Sequence, residues 1–184
     1  MAVQTPKQEL KTGNTSPSSP YNEKRHIGLA FWIKTMSVCI SLLSFFVGGM
    51  IYLLFRTETL EMFGWARTLG MYDRLSFWRR SVSVDGIPEF VIFAFPDGLW
   101  LFSYIVAIAT VWDFRMRQCW LSIIALPVVA CVSEMGQISG IVPGTFDMAD
   151  MGCYLSATVF GGMYSAIAGY IIHKGTTQTV TPSH

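Results

Sequence analysis

Four long apolar stretches dominate this chain, in place of the short alternating runs of a soluble core, and polar segments of unequal length separate them. A run of about 20 apolar residues matches the hydrocarbon thickness of a bilayer. The pattern therefore predicts an all-α integral membrane bundle of about four transmembrane helices. The expected spans are residues 27–55, 96–112, 119–138 and 151–172, inside a membrane domain covering residues 24–174. Residues 1–23, rich in Ser, Thr, Pro and Lys, read as a disordered cytoplasmic tail, and residues 175–184 as a flexible carboxyl-terminal one. Between the first and second spans, residues 57–80 interleave Trp65, Phe77 and Trp78 with Arg67, Arg74, Arg79 and Arg80. That mixture, without a run of spanning length, predicts a helix lying in the plane of the interface.

Two details of the spans bear on the site. The second has two readings. In one it starts with Pro96 in its opening turn, where a missing N–H costs nothing. In the other a longer span from Phe90 to Trp112 is interrupted at Pro96-Asp97-Gly98; the first reading is preferred. Lys34, early in the first span, is placed to extend its ammonium to the headgroups. Trp78, Trp100, Trp112 and Trp120 lie near the expected interfaces and read as anchors there.

Composition strengthens the class and narrows the chemistry. The chain is 52% hydrophobic and 14% charged, with a mean hydropathy of +0.43, against about 25% charged residues in soluble domains. A net charge of +1 with no basic stripe excludes nucleic acid as an expected partner. The four cysteines have no Cys-x-x-Cys spacing and read as small apolar packing residues. The turn with Arg115 and Arg117 is short and basic, whereas residues 139–150 hold no Lys or Arg. Together with Lys24, Arg25 and Lys174, this orients both termini toward the cytoplasm of a cell (inner) membrane.

Candidate chemistry gathers at the opposite face. Glu134 and Gln137 are three residues apart, on one face of the third span. A carboxylate inside a span is costly and is normally partnered or lines a polar cavity. Asp147 and Asp150 follow in the next loop, and Asp97 opens the second span. In an up-and-down bundle these five residues meet on the extracytoplasmic side. Such a set could hold a cationic headgroup, a divalent metal through oxygen ligands or a relayed proton, or could simply tie loops together. Asp150 also suits the N-cap of the fourth span. Histidines lie only near the chain ends, and no signature of a nucleophilic hydrolase or phosphate loop occurs. On the fourth span, Ala157, Gly161, Ser165 and Gly169 recur every four residues and form a small-residue seam for close helix packing, within the chain or in a homo-oligomer.

The segment Ser133-Glu-Met-Gly-Gln137 followed by Gly144-Thr-Phe-Asp-Met-Ala-Asp150 resembles the VanZ-like family of small multi-helix membrane proteins. In that family a Glu-x-x-Gln near a helix end precedes a loop with an aspartate opening the last helix. Pro96-Asp97-Gly98-Leu99-Trp100 is similar to a pattern in its divergent relatives, so the resemblance covers residues 96–161. It implies a motif of Glu134, Gln137, Asp147 and Asp150, and a founding member associated with glycopeptide resistance in bacteria without enzymatic modification of the drug. The expectation is a non-enzymatic protein that handles an envelope lipid or amphiphile at its acidic face. The alternatives are an accessory subunit of a membrane complex and a carboxylate-dependent membrane enzyme.

Overall fold

The computed structural model describes residues 20–57, 61–83 and 86–177, and all of its regular structure is helical. The helices are α1 (Pro20–Phe55), α2 (Glu61–Thr68), α3 (Tyr72–Ser81), α4 (Glu89–Phe93), α5 (Phe95–Val111), α6 (Met116–Ile138) and α7 (Met148–Thr177). Three of them, α1, α6 and α7, are long and apolar enough to cross a membrane. The fourth expected span, α5, is apolar but has only 17 residues, about 25 Å of helix. Large apolar side chains on the long helices point outward, as with Phe46 at 63% and Phe160 at 65% exposure. This is the reverse of a soluble core.

The boundaries depart from the sequence expectations in ways that local chemistry explains. The amino-terminal tail expected over residues 1–23 lies outside the described residues as far as residue 19, and residues 20–23 already belong to α1. At the other end α7 continues through Thr177, so residues 175–177 of the expected tail are helical and the rest of it lies outside the described residues. The single interfacial helix expected over residues 57–80 is instead two short helices. Gly70, at φ +67°, ends α2: its N–H bonds the Arg67 carbonyl, and the Met71 N–H bonds that of Ala66. This is the pattern of a left-handed helix stop.

The second span follows the preferred reading in its start and adds a break upstream. Pro96 sits in the first turn of α5. The chain interrupts only at Ala94, between α4 and α5, so Pro96-Asp97-Gly98 are helical. Without an N–H, Pro96 cannot bond the carbonyl four residues earlier, which separates the two helices.

Helices α1, α5, α6 and α7 run antiparallel in succession, with α5 packed between α1 and α7, and α6 against α5 and α7. The core lies along α5, where Leu101, Ile105, Val106 and Ala109 are buried. Small residues permit the approach on both sides. A Cβ on Gly48 of α1 would lie 2.9 Å from the Trp100 indole. That indole also donates to the Phe45 carbonyl at 3.1 Å. Trp100 thus packs α5 against α1. Ser41 and Ser103 bond each other's carbonyls at 2.8–2.9 Å, with their hydroxyls 3.1 Å apart. Ser37 reaches Tyr164 of α7 at 2.8 Å.

On α7 the small-residue seam faces inward. Ala157 and Ser165 are buried, a Cβ on Gly161 would meet Ile105 at 3.0 Å, and one on Gly169 would meet the Phe114 carbonyl oxygen at 2.7 Å. The turn that carries Phe114 stops α5 by the same hydrogen-bond pattern as Gly70, with Phe114 N–H to Ala109 and Asp113 N–H to Thr110. Here a non-glycine residue takes the left-handed position, Asp113 at φ +57°, and Phe114 follows at +54°. The half-exposed Lys34 ammonium pairs with Asp113 at 2.7 Å. The Asp113 carbonyl meets His173 Nε2 at 2.9 Å. Helices α1, α5 and α7 are thereby joined at this end.

Gly169→Ala forces a methyl group onto a backbone oxygen, and is expected to cost about 1–3 kcal/mol. Gly162→Ala, where nothing lies within 4 Å, is the control and should leave stability unchanged or slightly raised. Thermal unfolding of detergent-extracted protein, followed by size exclusion, separates the two.

Candidate functional site

The acidic residues collect at the end of the bundle opposite Asp113, where α5 and α7 begin and α1 and α6 finish. Glu134 lies in the last turns of α6 and is 5% exposed. A carboxylate so enclosed requires donors, since burial without them costs several kcal/mol. It has two. Gln137, one turn on, donates through Nε2 at 3.2 Å. The backbone N–H of Asp147 approaches the other oxygen at 3.5 Å, a long contact.

The loop that delivers Asp147 is shaped by its glycines. Gly140, at φ +69°, stops α6: its N–H bonds the Gln137 carbonyl, and the Ile141 N–H bonds that of Gly136. Further on, Gly144 at φ +142° lies flat against the Gln137 amide, and a Cβ there would come within 2.8–3.1 Å of it. A side chain at Gly144 would collide with the Gln137 amide and push the loop away from Glu134.

Asp147 then opens α7. Its Oδ1 accepts the Ala149 N–H at 2.8 Å, and its carbonyl accepts the Met151 N–H at 3.3 Å. Asp147 is therefore the N-cap, and Asp150, expected in that role, stands in the first helical turn instead. The capping oxygen must come from the residue just before the helix, because only its side chain can reach the N–H groups two and three positions on. Asp150 is left with its Oδ1 shielded from solvent and without a hydrogen-bond partner among the described residues.

Asp97 joins this group from α5. Asp97, Glu134 and Asp150 lie within Coulombic range of one another, and Asp147 within range of Asp150. All five residues singled out from the sequence thus belong to one neighbourhood. They do not form a ligand sphere: among the described residues, no three His, Cys, Asp or Glu side chains are grouped as a metal would need.

One participant was missed in the sequence. The charge of Arg56, just past the end of α1, reaches both Asp97 and Asp150. Its guanidinium donates to the Phe93 carbonyl at 3.1 Å, at the end of α4, and stands 5.0 Å from the centres of the Tyr52 and Phe93 rings. Its Nε is buried without a partner among the described residues. Arg79 holds Arg56 in place from α3, donating to the carbonyls of Arg56 and Leu53 at the carboxyl end of α1. No motif marks Arg56. The available signal was an arginine following a span of fixed length, on the same side as the acidic residues.

Beside the charged group runs an apolar groove of about 200 Å³ between α5 and α7. Gly98 and Cys153, one residue past Asp97 and three past Asp150, form its head, and Leu99, Phe102, Ala157 and Phe160 line its length. Gly98 allows this approach; a Cβ there would lie 3.1 Å from Cys153 Cβ.

No family model matches the chain, and neither a curated protein nor a solved structure matches it.

The cap assignment has a direct readout. Asp147→Ala should lower stability by about 1 kcal/mol and speed hydrogen exchange at the Ala149 amide, whereas Asp150→Ala should leave that amide protected. Exchange mass spectrometry over the start of α7 distinguishes them.

Proposed function

We propose that this chain is a four-span protein of a cell membrane that binds the polar group of an amphiphile at the acidic end of its bundle, with part of the tail in the α5–α7 groove. In this arrangement α5, extended by α4, completes the fourth span, and α2 and α3 lie at the interface. Both termini face the cytoplasm, in keeping with the basic Arg115–Arg117 turn, and the acidic end faces out. The chemistry is recognition without bond breaking. The resemblance to the VanZ-like family accords with this reading through Glu134, Gln137, Asp147 and Asp150.

The observation that carries the proposal is the junction at Gly98 and Cys153. There an apolar groove begins one residue along α5 from Asp97 and three along α7 from Asp150. A polar cluster that only tied loops together would not require such a groove. Asp150 Oδ1 and Arg56 Nε, shielded and unpaired, offer an acceptor and a donor of opposite charge to a polar group entering between them. Desolvated charges of this kind gain most from a partner that completes their hydrogen bonds.

Native mass spectrometry of detergent-extracted protein tests the reading, with Glu134→Gln and Asp97→Asn beside the wild type. The expected outcome is a specific lipid adduct on the wild type that falls about tenfold or more in each folded variant, the loss anticipated for a hydrogen bond to a charged group. An adduct of undiminished abundance in both variants, or bare protein throughout, rejects it. A second polypeptide retained in place of a lipid would assign the chain to a membrane complex as an accessory subunit.

A further inference from the structure

A second surface, whose lining does not include the carboxylates of the acidic cluster, lies where α3 crosses the end of α1. An open cleft of about 630 Å³ is bounded by Leu54 and Phe55 of α1 and by Tyr72, Asp73, Arg79 and Arg80 of α3. Its lining pairs apolar side chains at the end of a span with both signs of charge. Arg79 is engaged by the carboxyl end of α1. Asp73 and Arg80 are different: both are exposed, and neither forms an ion pair with a described residue. They stand seven positions apart on α3, two helical turns, so they project from one side of it about 10 Å apart along the axis. Phe77, at 69% exposure, lines the cleft as well, as aromatic residues do at a bilayer surface.

We infer that this cleft seats the headgroup of a glycerophospholipid carrying a phosphodiester and a terminal primary ammonium, with Arg80 on the phosphate and Asp73 on the ammonium. Charge complementarity selects this occupant. A purely anionic headgroup would leave the Asp73 carboxylate facing negative charge, and a quaternary ammonium offers Asp73 no N–H to bond. Arg80 presents a planar guanidinium suited to phosphate oxygens, and Leu54 and Phe55 continue the surface into the apolar flank of α1, where the acyl chains would run. The inference rests on the membrane placement of α1 proposed above, and not on the acidic cluster.

The test uses the full chain, extracted in detergent and exchanged into equimolar phosphatidylethanolamine, phosphatidylglycerol and phosphatidylcholine, with retained lipid read by native mass spectrometry. Wild type is expected to retain phosphatidylethanolamine over both others. Arg80→Gln should weaken all phospholipid retention about fivefold, the effect of one basic group at a membrane surface. Asp73→Asn should abolish the preference over phosphatidylglycerol while keeping total retention. Arg74→Gln, outside the cleft, should change neither. Equal retention of the three lipids, or a preference untouched by both cleft variants in protein that elutes as wild type, overturns the inference. Binding of free phosphoethanolamine by protein that retains no phosphatidylethanolamine would assign the cleft to a soluble ligand and overturn its lipid source. Release of the protein from membranes by alkaline carbonate would remove the membrane reading itself, whereas unselective lipid retention removes only this one.

Discussion

The close contact of α5 with helices on both sides is the constraint on which the rest depends. Between helices in lipid there is little hydrophobic driving force, since the surrounding tails are as apolar as leucine. Association falls to van der Waals contact and interhelical hydrogen bonds. This chain supplies both. Gly48 admits the Trp100 indole, and Gly161 admits Ile105. The reciprocal Ser41–Ser103 pair satisfies two hydroxyls between α1 and α5. Because α5 is held on two sides, its first turn is held too, and Asp97 is delivered beside Asp150 and Glu134.

The two ends of the bundle solve opposite electrostatic problems. At one end a single acidic residue, Asp113, adopts a backbone conformation that L residues avoid, at a cost of about 1–2 kcal/mol. Its carboxylate pairs with Lys34 from α1, and its carbonyl meets His173 from α7. The strained turn is therefore also the fastening point of three helices. At the other end several carboxylates accumulate around one guanidinium. Glu134 is stabilised by an amide and a backbone N–H, and Asp147 is occupied in capping. Asp97 and Asp150 remain, and the charge that reaches them is that of Arg56.

Arg56 shows how the interfacial segment serves the core. Arginine 79 on α3 donates to carbonyls that the end of α1 leaves unpaired, a cationic stop of the kind helix carboxyl ends favour. Its guanidinium also lies over the ring of Phe63, which is fully buried. Through these contacts α2 and α3 are fixed against α1, and Arg56 is directed toward Phe93 and the acidic group. Helices that read in isolation as surface elements thus position a charge of the site.

The sequence by itself determined the class and much of the architecture, because the length and polarity of an apolar run reflect the solvent around a helix and need no knowledge of neighbours. The long helices, the small-residue seam of α7 and the candidate residues from Asp97 to Asp150 were legible on that basis, while the inward direction of the seam was left open. Helix stops at Gly70 and Gly140 depend on φ angles that glycine permits without demanding, so the division of the interfacial segment into two helices was not visible beforehand. Tertiary structure decided which aspartate caps α7, paired Lys34 with Asp113, set Trp100 against Gly48, and brought Arg56 to the carboxylates. Each of those outcomes depends on the distance between residues far apart in the chain, and a linear pattern of polarity carries no such distance.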